Sequence, residues 1–205
     1  MKGKFITFEG AEGSGKSTQA QMVCKYLESL NKPVQHIREP GGVKISESIR
    51  RILLNVNNTR MTDECETLLY MAARGQLVGE VILPELKKGT IVLSDRYLDS
   101  TIVYQGYGNG VDVSTIETIG AFATKGLMPD FTFIFDIDAE KGLSRTGRTK
   151  DRIELRSLNY HKKVRKGYLE LAKAYPERIV LIEVDKSKEE IFEIVREHIN
   201  KILGL

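Results

Sequence analysis

The chain has 205 residues, of which 41% are hydrophobic and 29% charged, and a net charge of +3. This length suits one domain with an ample core, and the composition is ordinary for a globular protein. The positive residues are interspersed with acids, which gives little reason to invoke nucleic acid, and no apolar run reaches membrane-spanning length.

Phe5-Ile6-Thr7-Phe8 is short, apolar and β-favouring, and it predicts a buried strand. Gly10-Ala11-Glu12-Gly13-Ser14-Gly15-Lys16-Ser17 follows, with the G-x-x-x-x-G-K-S spelling of a phosphate-binding loop. Thr18 to Leu27 then has apolar residues at Ala20, Val23, Tyr26 and Leu27, one face of a helix. Strand, glycine loop and helix is the context the motif needs. The glycines let backbone N–H groups turn inward around a phosphate, and the helix start adds orphan donors and partial positive charge. Lys16 suits the terminal phosphates of a nucleotide and the Ser17 hydroxyl suits magnesium.

Asn31-Lys32-Pro33 is a break, and Val34 to Ile37 predicts a second strand running into the loop Arg38-Glu39-Pro40-Gly41-Gly42. Ser46 to Leu54 reads as a short helix. A longer one starts after Thr62 as N-cap, with Asp63, Glu64 and Glu66 in its first turn as acids near the positive helix end. Pro84 would kink that helix or start a new turn. Thr90 to Ser94 is a third buried strand with Asp95-Arg96-Tyr97 at its carboxyl end, the edge where open α/β sheets bind ligands. Ser100 to Gly110, rich in Tyr and Gly, reads as a loop. A helix from about Ser114 to Ala123, a strand at Phe131–Asp136, a basic segment from Arg145 to Arg152, a strand at Ile179–Ile182 and a helix capped by Ser187 complete the chain.

Five apolar strands alternating with helices predict an α/β fold, a parallel sheet covered on both faces. The N-terminus goes straight into a strand, so no signal peptide is expected. Cys24 and Cys65, each on a predicted helix, are expected to be core thiols, and a reducing cytoplasm fits.

Four stretches together, in order and spacing, resemble the thymidylate kinase family: Phe8 to Thr18; Arg38-Glu39-Pro40-Gly41-Gly42; Asp95-Arg96-Tyr97 with Ser100 and Tyr104-Gln105-Gly106; and Asp151-Arg152-Ile153-Glu154. The resemblance covers nearly the whole chain. It implies a P-loop kinase three-layer sandwich as one domain over residues 1–205, with a short arginine-bearing lid at about 142–153. It also implies ATP + dTMP giving ADP + dTDP, with Mg2+, in a cytoplasmic homodimer that binds neither nucleic acid nor membrane. A kinase of another pyrimidine nucleoside monophosphate is the nearest alternative.

The resemblance also distributes roles. ATP falls to Gly10, Ala11, Glu12, Gly13, Ser14, Gly15, Lys16, Ser17 and Thr18, with Arg145 stacking on adenine. Ser17 and Asp95 hold the metal. Glu12 points away from the donor phosphates, toward the acceptor sugar. Arg96 and Arg50 grip the acceptor phosphate, Glu39 orients neighbouring groups, Tyr70 stacks on thymine and Arg74 bonds the base edge. Ser100, Tyr104 and Gln105 complete the acceptor pocket, with Tyr104 crowding a ribose 2′-hydroxyl. Read alone, Arg145 to Arg152 is a solvated charged turn. By resemblance it supplies the catalytic arginine missing from the glycine loop, assigned to Arg148 with Arg145 as the alternative; Lys16, Asp95 and Arg96 are the other catalytic residues it implies. Val43 stands where the family usually has Thr.

Overall fold

The computed structural model describes residues 3–147 and 150–205. Five parallel strands, β1 (Phe5–Gly10), β2 (Val34–Arg38), β3 (Ile91–Asp95), β4 (Phe131–Asp136) and β5 (Ile179–Glu183), lie in the order β2-β3-β1-β4-β5. All five expected strands form. The helices are α1 (Lys16–Ser29), α2 (Lys44–Leu54), α3 (Asp63–Leu77), α4 (Leu83–Lys88), α5 (Leu98–Thr101), α6 (Val113–Thr124), α7 (Ala139–Arg145), α8 (Leu158–Ala174) and α9 (Lys188–Leu203). None is long and apolar enough to cross a membrane.

Side chains alternate across a strand, so neighbouring residues enter different cores. Ile6, Phe8, Phe133 and Phe135 pack with Ala20, Val23 and Leu27 of α1 and Ile191, Val195 and Ile199 of α9. Phe5 and Ile134 enter the opposite core, with Leu77, Ile116, Val164 and Tyr168. The three α9 residues recur every fourth position, which is why that helix docks along one stripe. Each contributes about 1.5–3 kcal/mol by burial, and an aspartate at Val195 would break the stripe.

β1 lies between β3 and β4, and the chain crosses from one side of it to the other after β3. The carboxyl ends of β1 and β3 therefore open onto one crevice. Thr62 caps α3 by accepting from Cys65 N, as expected. Pro84 starts α4 after a π-helical turn at Val78–Ile82.

Two expectations are corrected. The segment from Ser100 to Gly110 is largely helical: α5 continues into a π-helical stretch, Ile102–Gly108. Its glycines serve close packing, since a Cβ on Gly108 would lie 2.5 Å from the Tyr160 ring. The cysteines are free, but Cys65 is exposed and Cys24 only half-buried, so Cys65 is no core thiol. It sits on the solvent-facing side of the first turn of α3.

Candidate active site

The loop after β1 turns through Gly13 at φ 68° and Gly15 at φ 84°, conformations that favour glycine. A Cβ on Gly13 would lie 2.1 Å from Gly142 O, so the loop is pressed against α7. Lys16 opens α1 and is buried, with Nζ 3.5 Å from Ala11 O. Burial, reinforced by the nearby Arg96 guanidinium, lowers its pKa. Ser17 Oγ donates to Asp95 Oδ2, bringing together the two oxygens expected at the metal. Among the described residues there is no cluster of three or more His, Cys, Asp or Glu that could hold a metal by itself. A hydroxyl and a carboxylate beside a phosphate cradle fit Mg2+, which takes one or two protein oxygens and completes its shell with water and phosphate.

Arg96 joins the two ends of the crevice. Its backbone is left-handed, φ 72°, which costs on the order of 1 kcal/mol or more in a non-glycine residue. The turn is pinned from both sides: Arg96 N donates to Phe8 O at 3.0 Å and Ser94 Oγ to Arg96 O at 2.7 Å. The guanidinium then donates to Gly10 O at 3.1 Å, Ser100 Oγ at 3.2 Å and Glu12 Oε1 at 2.5 Å. Tyr104 Oη also donates to Glu12 Oε1, at 3.0 Å. Glu12 thus faces Arg96 and Tyr104, and its charge is offset by Arg96.

Glu9, fully buried, was not anticipated. Its carboxylate accepts from Tyr97 N at 2.7 Å, Ser100 Oγ at 2.5 Å and Tyr168 Oη at 2.8 Å, so it ties β1 to the start of α5 and to α8. Burial, then the charge of Asp99, pushes its pKa up from 4.5 to about 7, against the opposing pull of Arg96. A polar residue in an apolar strand next to a glycine loop was the available signal.

Another wall of the crevice is built on α3. Tyr70 and Arg74 lie one turn apart and both line the crevice. Arg74 is only 2% exposed. Its Nε donates to Glu39 Oε2 at 2.7 Å, one terminal nitrogen to Thr101 Oγ1 at 3.0 Å and the other to Tyr97 O at 2.9 Å. With five N–H groups, the guanidinium retains capacity for a further acceptor. Glu39 is buried and its pKa is raised by desolvation, which outweighs Arg74. Arg50 reaches Pro40 O at 2.8 Å. Gln105 Nε2 donates to Glu66 Oε1 at 2.9 Å.

A cavity of about 230 Å³ is lined by Lys16, Ser17 and Asp95, by Arg96 and Glu12, and by Tyr70, Arg74, Ser100, Tyr104 and Gln105. Against this geometry, the sequence profile described as thymidylate kinase matches residues 8–195. The chain belongs to the thymidylate kinase family. It is 50% identical over 194 residues to the thymidylate kinase of Carboxydothermus hydrogenoformans, covering 94% of each chain. It is 44% identical over 207 residues to that of Bacillus velezensis, covering 99% of this chain and 98% of the relative. The crystal structure of thymidylate kinase from Ehrlichia chaffeensis superposes with a TM-score of 0.81 at 32% identity, covering 97% of this chain and all of that one.

Within this thymidylate kinase fold, most of the residues expected from the family pattern converge on one crevice. Gly10, Ala11, Gly13, Ser14 and Gly15 form the loop beside it without lining it, and Thr18 and Arg145 do not line it either: both are exposed, Thr18 on the first turn of α1 and Arg145 at the end of α7. Arg148 lies outside the described residues. Arg38, Thr101, Asp151 and Ile153 line the crevice without having been assigned a role. Arg38, Asp151 and Ile153 stood inside motifs read from the sequence, whereas Thr101 carried no signal of its own.

Proposed function

We propose that this chain, as one kinase domain, transfers the γ-phosphoryl group of ATP to dTMP, giving ADP and dTDP. The observation that carries this reading is the Arg96 bridge: one guanidinium spans from the donor loop, at Gly10 O and Glu12, to the acceptor pocket, at Ser100. Phosphoryl transfer needs two negatively charged groups held in line and their charge neutralised, with little covalent help. In this reading the loop amides and Lys16 hold the donor phosphates. Ser17 and Asp95 would hold Mg2+, which when bound neutralises charge on the β- and γ-phosphates. Arg96 and Arg50 grip the acceptor phosphate, Tyr70 stacks on thymine, and Arg74 and Gln105 read its edge. Tyr104, wedged between Glu12 and the Tyr168 ring, fills the space a ribose 2′-hydroxyl would need. Arg148 is assigned the lid role by family pattern alone.

A homodimer is part of the proposal. α3 and α6 pack on each other, and each presents a large apolar side chain to solvent, Leu68 at 53% and Phe122 at 88% exposure. Such groups suit burial against a second copy. A cytoplasmic location agrees with two free cysteines and no membrane-crossing helix among the described residues.

The test is an ADP-release assay with ATP and Mg2+, with dTMP, dUMP, UMP, CMP and GMP compared as acceptors. The expected result is preference for dTMP, abolished to within about a thousandth of wild type in Lys16→Ala. Equal turnover on CMP or UMP would replace this reading by another pyrimidine kinase. ATP hydrolysis indifferent to every monophosphate would replace it by an ATPase.

A further inference from the structure

Glu66 lies on α3 one turn before Tyr70 and is fully buried. Its Oε1 accepts from Gln105 Nε2 at 2.9 Å and from Asn109 Nδ2 at 3.2 Å. Its Oε2 faces the guanidinium groups of Arg152, at 2.6 Å, and Arg156, at 2.8 Å. A carboxylate flanked by two arginines accepts and does not donate.

Gln105 could in principle present either end of its amide to a base. Against Glu66 it has one option: the NH2 group on the carboxylate and the carbonyl Oε1 directed elsewhere. Turning the amide over would set two acceptors against each other at hydrogen-bond distance. Among the described residues Gln105 Oε1 has no protein partner, it is not a sealed-off buried atom, and the residue lines the acceptor end of the crevice. Asn109 is fixed in the same way, its Nδ2 on Glu66 and its Oδ1 accepting from Arg156.

We propose that Glu66 is a specificity-determining positioning residue. It locks the Gln105 amide so that the acceptor pocket offers one acceptor, Gln105 Oε1, near one obligate donor, Arg74. That pair matches a pyrimidine imide, whose ring N3–H donates beside a C4 carbonyl that accepts. A 4-aminopyrimidine presents the opposite pattern at both positions. Arg74 cannot invert, because a guanidinium only donates. Gln105 can, and Glu66 is what prevents it. This rests on the reading that Gln105 and Arg74 face the base.

The experiment measures kcat/KM for dTMP, dUMP and dCMP with wild type, Glu66→Gln, Glu66→Asp and Gln105→Leu. The dTMP-to-dCMP ratio from one preparation is independent of the fraction folded, and a merely structural role would scale both substrates alike. Glu66→Gln can accept or donate, so the Gln105 amide becomes free to turn. The ratio should fall about tenfold or more, with dUMP following dTMP. Glu66→Asp keeps the charge for Arg152 and Arg156 but withdraws from Gln105. It should shift the ratio in the same direction even if the Gln variant does not fold. A shift with Gln105→Leu together with wild-type ratios in the Glu66 variants that fold would overturn the proposal and leave the base pocket intact. A wild-type ratio in Gln105→Leu would instead remove the pocket reading on which it stands.

Discussion

Glu9→Gln isolates the energetic cost of placing a carboxyl at the centre of this site. Its surroundings make the substitution nearly isosteric in hydrogen bonding. Glu9 Oε1 accepts from Tyr97 N at 2.7 Å, and a glutamine carbonyl does the same. Glu9 Oε2 accepts from the hydroxyls of Ser100 and Tyr168, both of which can rotate to accept from an amide NH2 instead. What changes is the titration. In the unfolded chain Glu9 ionises at an ordinary 4.5; in the folded protein burial, and then Asp99, hold it protonated up to about 7. The folded state therefore binds the extra proton between these values, and stability falls as pH rises. The stabilising contribution is fully present below about pH 4.5 and is lost as pH rises through about 7. The displacement corresponds to on the order of 3 kcal/mol. Other groups titrate in both proteins and cancel in the difference, apart from Lys16 and Tyr168, which feel the Glu9 charge directly.

Urea unfolding of wild type and Glu9→Gln at pH 4.5, 6, 7 and 8, followed by circular dichroism and extrapolated linearly to water, checks this. The stability of wild type minus that of the variant should drop by about 3 kcal/mol between pH 4.5 and pH 8. Parallel curves would refute the argument, because they would mean that Glu9 titrates alike in both states. A difference that grows with pH would show the hydrogen-bond donors winning over desolvation.

Arg74→Leu should destabilise the fold by about 3–5 kcal/mol, because Glu39 would stay buried without its partner; adding Glu39→Gln should recover much of that loss, as read by a double-mutant cycle in urea. Tyr104→Ala should raise kcat/KM for the ribonucleotide analogue of dTMP relative to dTMP itself by about tenfold or more, while Tyr104→Phe, which keeps the ring, should not. Phe122→Glu should shift the chain to monomer in sedimentation velocity at micromolar concentration, and an unchanged sedimentation coefficient would remove Phe122 from any interface.

The sequence by itself determined the sheet and the donor half of the site. Strands written as continuous apolar runs, a glycine loop between strand and helix, and caps such as Thr62 and Ser187 depend on neighbours a few residues away. A linear reading contains those neighbours. It also supplied residue types for the acceptor pocket, through motifs whose order and spacing match a family. What it could not supply were partners. Glu66 reads as one of three acids suiting a helix N-terminus, and its spelling is the same whether it faces water or, as here, two arginines 86 and 90 positions further on. Ser100 to Gly110 reads as loop because its glycines suggest freedom, whereas Tyr160 and Val113 press on them in space. Glu9 reads as one more letter of a motif, yet it binds three backbone or hydroxyl donors from two distant helices. Burial and long-range pairing are properties of the assembled layers, and they alone decide which carboxylates carry charge, which amides are fixed, and which arginines have a donor left for substrate.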